Sequence, residues 1–293
     1  GNRNPDFEEL KLLQPGISWS PEGDRIVLAT KAGGSDALFL IDAESGKREK
    51  LTFNLDGIFT AAWSPEGSRI AFIGNKGEAS DIYLYDLNSK ELENLTEDVF
   101  SDSEPAWSPD GRSIAFVSDR GEHLKMPASF NIHEHDYGQT DLYVIEIASR
   151  KLERLTATPH SENFPVFAHT VNTLAYTSDA AGIWNLHLLD LDSGESRAVS
   201  NVLTGIFQLS WSGDDQKLVF SGYSGLGWDI YSLSNPLSHK MMEVKPSNFI
   251  LTSTDEDPLD LAKVEKDTVG NKIDLGWADN AFARWIFAFF RCS

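Results

Sequence analysis

Cysteine is nearly missing from these 293 residues: Cys292 stands alone, which excludes an internal disulfide and a cysteine-rich metal site. Basic residues are scarce. Lys and Arg number 25 against 45 Asp and Glu, and the formal charge of −20 repels the phosphate backbone of nucleic acid and disfavours anionic membrane surfaces. That balance leaves protein, peptide or cation partners, beside the plainer reading of a solvated acidic surface. Long hydrophobic runs are also lacking, for the apolar stretch from Ala281 to Phe290 is too short to span a bilayer, and no direct membrane insertion is expected. No apolar signal segment opens the chain, which begins at Gly1 rather than Met, as expected of a mature chain, a fragment or an expression product. Catalytic signatures are absent: there is no Gly-x-Ser-x-Gly elbow, no His-Glu-x-x-His and no Gly-Lys-Ser/Thr phosphate loop, so no enzyme is expected.

Aromatic residues, by contrast, are plentiful. Eight Trp and seventeen Phe within an apolar fraction of 41% supply a sizeable core, and a mean hydropathy of −0.30 fits a soluble chain. The length alone allows one large all-β domain or two ordinary domains. An internal repeat decides between them. The motif Trp-Ser-Pro-acid-Gly begins at Trp19, Trp63 and Trp107, each 44 residues after the last, and degenerate copies begin at Phe167 and Trp211, spaced by 60 and 44. One unit therefore carries a 16-residue insertion. Seven positions after each anchor stand Ile26, Ile70, Ile114, Leu174 and Leu218, which are expected to be equivalent and buried. Third strands open at Asp36, Asp81, Asp141, Trp184 and Asp229, and the pairs Leu51-Thr52, Leu95-Thr96, Leu155-Thr156 and Val199-Ser200 close the first four units. Pro21, Pro65 and Pro109 preset φ in the first turn, and Gly23, Gly67 and Gly111 supply positive φ. Four short strands with such turns are the pattern of a propeller blade, with the anchor Trp as packing between blades.

The segment Trp107-Ser-Pro-Asp-Gly-Arg-Ser-Ile-Ala-Phe-Val-Ser-Asp-Arg120, followed by Asp141-Leu-Tyr and Leu155-Thr156, closely resembles the TolB-like propeller family, and the motif recurs from residue 15 to about 245. The resemblance implies a non-enzymatic protein-interaction scaffold of the bacterial periplasm or cell envelope, part of a larger envelope protein or complex. Similar repeats also form propellers that gate peptidase-like hydrolase domains. The alternative it offers is therefore a metal- or substrate-binding propeller supporting such a domain, although no such domain is visible here. Two units depart from the pattern, with Phe167-Ala-His169 and Gly213-Asp214-Asp215 at the turn positions. The expected organisation is all-β: an N-terminal segment 1–14, five complete four-stranded blades over 15–246, and a C-terminal segment 247–293. Since the family's propellers have six blades, residues 273–290 read as a partial sixth, completed by an edge strand from Asn4 to Leu13. The other reading makes the C-terminal segment foreign to the fold, because Ser253 to Lys272 matches nothing in the repeat.

In such blades the first and third turns share one face, and in this chain they are short and uniform. The other face carries the irregular loops, and loop variation on a rigid scaffold is where such folds place function. Its candidate partner-binding residues are the aromatics Phe59, Phe100, Phe164, Phe207 and Tyr223, with Asp102, Glu104, Arg120, Glu162 and Asp179 as charged companions. The plainer reading packs several of these aromatics under their own loops. No cofactor is expected beyond a divalent metal at the 121–139 insertion, where His133 and His135 on a strand-like segment would point to one side, with His160 or Glu162 nearby. A surface lid whose histidines bond to loop backbone is the alternative. Asp190-Leu-Asp-Ser-Gly194 is similar to a calcium loop but coincides with a hairpin turn and lacks the later bidentate Glu. The acidic run around Asp255 to Asp260 reads as exposed linker.

Overall fold

A computed structural model describes residues 9–10 and 17–244, apart from 33, 78, 126–129, 132 and 225–226. The expectations placed on 247–293, and on most of Asn4 to Leu13, lie outside the described residues. Among the described residues, twenty strands form five antiparallel sheets. The first contains β1 (Glu9–Leu10), β2 (Ile17–Trp19), β3 (Arg25–Ala32), β4 (Ser35–Asp42) and β5 (Arg48–Leu51). Both β1 and β2 pair with β3, end to end, so Glu9–Leu10 extends the inner edge of blade one. Blade two is β6 (Gly57–Trp63), β7 (Arg69–Asn75), β8 (Ser80–Asp86) and β9 (Leu92–Asn94); blade three is β10 (Asp102–Trp107), β11 (Ser113–Ser118), β12 (Asp141–Glu146) and β13 (Leu152–Arg154). Blade four is β14 (Glu162–Phe167), β15 (Thr173–Ser178), β16 (Asn185–Asp190) and β17 (Ser196–Ala198), and blade five is β18 (Ile206–Trp211), β19 (Lys217–Ser224) and β20 (Gly227–Ser234). The inner strands β2, β6, β10, β14 and β18 contact one another in that order. No α-helix occurs among the described residues.

Each repeated residue has a visible task. The Ser after the anchor closes the first hairpin: the hydroxyls of Ser20, Ser64, Ser108 and Ser212 accept the N–H of Arg25, Arg69, Ser113 and Lys217 at 2.9–3.0 Å. The closing hydroxyl ties the fourth strand to the third, since Thr96, Thr156 and Ser200 accept the N–H of Ile82, Leu142 and Leu186. The anchor Trp packs between blades, as read from the sequence. The indole N–H of Trp107 donates to Ala62 O and that of Trp211 to Val166 O, each in the preceding inner strand, while Arg25 and Arg69 stack over Trp63 and Trp107 of the next blade at 4.9 Å.

The seventh-position residues face the preceding blade. Ile70, Ile114, Leu174 and Leu218 are fully buried in this way, whereas Ile26 is only half-buried. The reason is position: no described blade precedes blade one. Blade five departs from the expected four strands, because three are described and the chain then turns at Asn235 and Pro236 into a 3-10 turn. Beyond it, Met242 N–H donates to Ala198 O and Arg197 donates to Leu237 O, so the chain passes along β17, the outer strand of blade four.

The two irregular units complete each other. Unit four has Ala168 where the turn Ser belongs, and unit five has Asp215 where the positive-φ Gly belongs. Asp215 adopts φ 56° and its carboxylate, 1% exposed, reaches back to blade four. It accepts His169 N–H at 2.9 Å and both the N–H and the hydroxyl of Thr170 at 2.6 Å, while His169 Nδ1 lies 3.0 Å away. Burial pushes this carboxyl up, but the donors of Thr170 and His169 outweigh it and hold it below the ordinary carboxylate range.

Candidate functional loop face

The inner strands of blades two to five each carry a β-bulge on their way to the loop face. In blades three, four and five the bulge residue is Glu104, Phe164 or Gln208, with φ of 54°, 55° and 56°, a left-handed conformation unusual for side chains other than Gly. The repeat sets this, for each lies three residues before its anchor. Glu104 accepts the backbone N–H of Phe164 from the next blade, and burial pushes its carboxyl up to about 7 against that single stabilising bond. From Phe164 a string of edge-to-face rings runs outward: Phe207 at 6.2 Å, then Trp228 at 5.4 Å from Phe207, then Tyr223 at 5.8 Å from Trp228. Phe164 and Phe207 are partly buried, whereas Tyr223 and Trp228 are 40% and 61% exposed. Tyr223 and Trp228 are cross-strand partners on β19 and β20, so the hairpin itself sets their spacing.

Other predicted site residues are buried, as Phe100, Asp102, Arg120 and Glu162 are, or partly buried, as Phe59 and Asp179 are. Phe100 is fully buried, stacked on His123 at 5.6 Å and against Phe130 and His135. Phe59 is partly buried and packs on the core between blades two and three. Arg120, 2% exposed, donates to Asp98 at 2.8 Å and Asp102 at 2.6 Å, and its guanidinium lies over the rings of Phe100, Phe116 and Tyr143. Burial drives the Asp102 carboxyl up to about 6 despite that partner. Glu162 is also fully buried, accepts the hydroxyls of Thr156 and Thr158 at 3.0 and 2.7 Å, and is pushed by burial up to about 7. Asp179 accepts Ser161 N–H at 2.9 Å, as Asp119 accepts Ser101 N–H in blade three, so both clamp the link into their own blade.

The described residues of the insertion form turns and bends, and His133 to His135 are not the strand-like segment expected from His-x-His. The two imidazoles therefore part: His133 is exposed, while His135 turns inward beside Asp119, Phe130 and Tyr137. Among the described residues, no three His, Cys, Asp or Glu side chains converge as a metal-ligand set. Beneath the insertion lies a cavity of about 240 Å³ whose walls include Asp119, His135, Asp141 and Arg154. Sequence reasoning missed Trp228, Asp141 and Arg154. For Trp228 a signal existed, since Trp184 stands 44 residues earlier at the same point of blade four. Among the described residues no helix is long and apolar enough to cross a membrane.

Residues 10–126 match the family described as the TolB beta propeller domain, PD40. A search of curated proteins found no significant match. Among solved structures, the chain is similar to TolB from Acinetobacter baumannii at 20% identity and a TM-score of 0.61, covering 76% of this chain and 51% of that one. It thus spans about half the length of that relative. Putative TolB from Agrobacterium tumefaciens is similar at 18% identity and a TM-score of 0.63, with 76% and 77% of the two chains covered. An oligogalacturonate lyase in complex with manganese is similar at 14% identity and a TM-score of 0.56, covering 78% and 64%. At such identities the likeness shows the fold alone.

Proposed function

This chain carries TolB-type propeller repeats, and from that premise we propose that it is a non-enzymatic scaffold of the bacterial cell envelope that holds a protein partner on its loop face. The observation that carries the reading is the aromatic string ending in Trp228 and Tyr223. Large exposed aromatics are favoured anchors at protein interfaces, because they bury much area at little cost in side-chain entropy. Here they are cross-strand partners backed by Phe207 and Phe164, so packing already restricts the rings and less ordering is left to offset the gain on docking. Phe59, Glu104 and Asp179 border the same face; Phe100, Asp102, Arg120 and Glu162 act from beneath, by fixing the loops. The envelope location is carried over from the TolB likeness.

The test is capture from a bacterial envelope extract, identification of the captured protein and titration of it against variants. Trp228→Ala and Phe207→Ala are expected to cost about 2 kcal/mol or more of affinity each. Asn88→Lys, in a turn of the opposite face, should leave it nearly unchanged. Equal losses from all three variants would place the docking surface elsewhere.

A further inference from the structure

The loop margin between blades three and four holds a buried acid without the cation that its repeat equivalent has. Asp102 and Glu162 each stand five residues before their anchor, and Asp102 is met by Arg120, two residues after Ser118. Two residues after Ser178, blade four has Ala180 instead. Glu162 is 0% exposed, and its donors among the described residues are hydroxyls, those of Thr156, Thr158 and Ser178. A buried acid with no cation of its own is more stable neutral than charged. Its neighbour is a second acid. Asp141 of blade three, 1% exposed, accepts Arg154 at 2.7 Å through Oδ2, has the Thr158 N–H beside it and lies within hydrogen-bonding reach of the Glu162 carboxyl. Two carboxylates so close do not both ionise readily, whereas one proton between them turns the contact into a hydrogen bond and leaves a single charge for Arg154 to face.

We propose that this pair is a proton-operated latch between the two blades: Glu162 donates a proton to Asp141 while the loop margin is closed, and loss of that proton lets the margin open. The bonds it guards are those that join the blades on this side. Glu162 N–H donates to Thr140 O at 2.9 Å, the Thr140 hydroxyl to Glu162 O at 3.2 Å and the Ser161 hydroxyl to Gly138 O at 3.2 Å. Ionised, Glu162 adds a second negative charge beside Asp141, and water becomes its better surrounding. The charged and titratable groups around the pair are Arg154 and Tyr143 of blade three, Tyr176 of blade four and, at the adjoining cavity, Asp119, Arg120 and His135. Arg120 is already held by Asp98 and Asp102, so Arg154 alone offsets the pair. Burial raises the Glu162 carboxyl from 4.5 to about 7, so the stability it contributes is complete below about 4.5 and is lost as pH rises through about 7. Phe164, two residues further on, begins the ring string, so the latch governs how firmly the root of that string is held. It does so whether or not a partner is docked.

The test is hydrogen exchange of the Glu162 amide in the full chain, corrected for intrinsic rates and compared with the Arg69 amide, which is bonded to Ser64 inside blade two. It is run in a Glu104→Gln background, so that the other raised carboxyl of this seam does not contribute. Control by a single proton makes protection at Glu162 fall by about tenfold for each pH unit above about 7, while protection at Arg69 stays constant. Adding Glu162→Gln, which keeps a donor for Asp141 and does not ionise, is expected to abolish the fall and hold the protection of the acid form throughout. Infrared spectra in the same background give a second readout: the carbonyl stretch of a protonated buried carboxyl, present at about pH 6, gone at about pH 8.5 and missing from the double variant. Should the double variant fail to fold, the infrared titration of the Glu104→Gln protein decides by itself. Protection at Glu162 that does not fall, or falls equally at Arg69, overturns the inference. So does an unchanged fall in the double variant, or no protonated carboxyl at the lower pH. No partner protein enters these measurements, so any of those results leaves the Trp228 test standing.

Discussion

Glu104 concentrates the tension of this protein in one side chain, since it holds a left-handed backbone, a partly buried carboxyl and a single bond to Phe164 N–H. Its carboxyl, raised from 4.5 to about 7 by burial, takes up a proton more readily in the folded than in the unfolded chain. Its contribution to stability is therefore full below about 4.5 and is lost as pH rises through about 7. Glu162 acts in the same direction over the same window. Glu104→Gln is expected to raise the melting temperature at pH 8, by about 1 kcal/mol of stability, and to change little at pH 4.5. Asp215 runs the opposite way. A non-Gly residue at φ 56° costs roughly 1 kcal/mol, while charge-assisted hydrogen bonds contribute about 1.5–3 kcal/mol each. The bonds win, so Asp215→Gly should destabilise by about 1–2 kcal/mol in urea unfolding despite relieving the backbone. Because its carboxyl is held low, that loss should appear at neutral pH and shrink as pH falls below the ordinary Asp value.

At the scale of the element, the Arg120 cluster is what shapes the loop between β10 and its neighbours. Replacing Arg120 with Met would strand Asp98 and Asp102 without a cation, one at 12% and the other at 0% side-chain exposure. Removal of one partner from a buried ion pair typically costs about 3–5 kcal/mol, and denaturant unfolding of Arg120→Met is expected to show a loss of that order. The blades themselves were legible because each hairpin is encoded locally: a Pro, a positive-φ Gly and a Ser five residues before its bonding partner leave little choice of turn. The site was legible only in outline. Phe100, Arg120 and Glu162 stand in loop-face segments and read as surface residues, but whether a charge is buried depends on partners far along the chain. Asp98 lies 22 residues from Arg120, and His123 and His135 cover Phe100 only through the folded insertion. Likewise the spacing of His133 and His135 says nothing about whether their segment is extended or turned.

Across the whole molecule, burial follows position in the row of blades. Blades two, three and four are covered on both faces, whereas Ile26 of blade one is only half-buried and Tyr223 and Trp228 of blade five are exposed. The most exposed hydrophobics among the described residues, Leu203, Trp228 and Met241, stand at the last blade and its flanks, while Ile17, Leu92, Leu124, Tyr137 and Val171 are spread singly over the other blades. The junctions between blades are unequal too. Blades two and three are joined at both ends, by Trp107 to Ala62 O and Arg69 to Gly111 O on the turn side and by the Ser80 hydroxyl to Asp102 O on the loop side. Blades four and five are joined by Trp211 to Val166 O and by the Asp215 carboxylate. Between blades three and four the anchor is Phe167, which has no N–H to give, and the hydrogen bonds among the described residues, from Thr140, Ser161 and Phe164, all gather on the loop side. The rest of that seam is closed by Phe167, Leu155 and Leu191 packed on the core that the two blades share, so its loop margin is fixed by directional polar bonds and the remainder by apolar contact alone. That should make this junction the one whose strength depends most on temperature and least on salt.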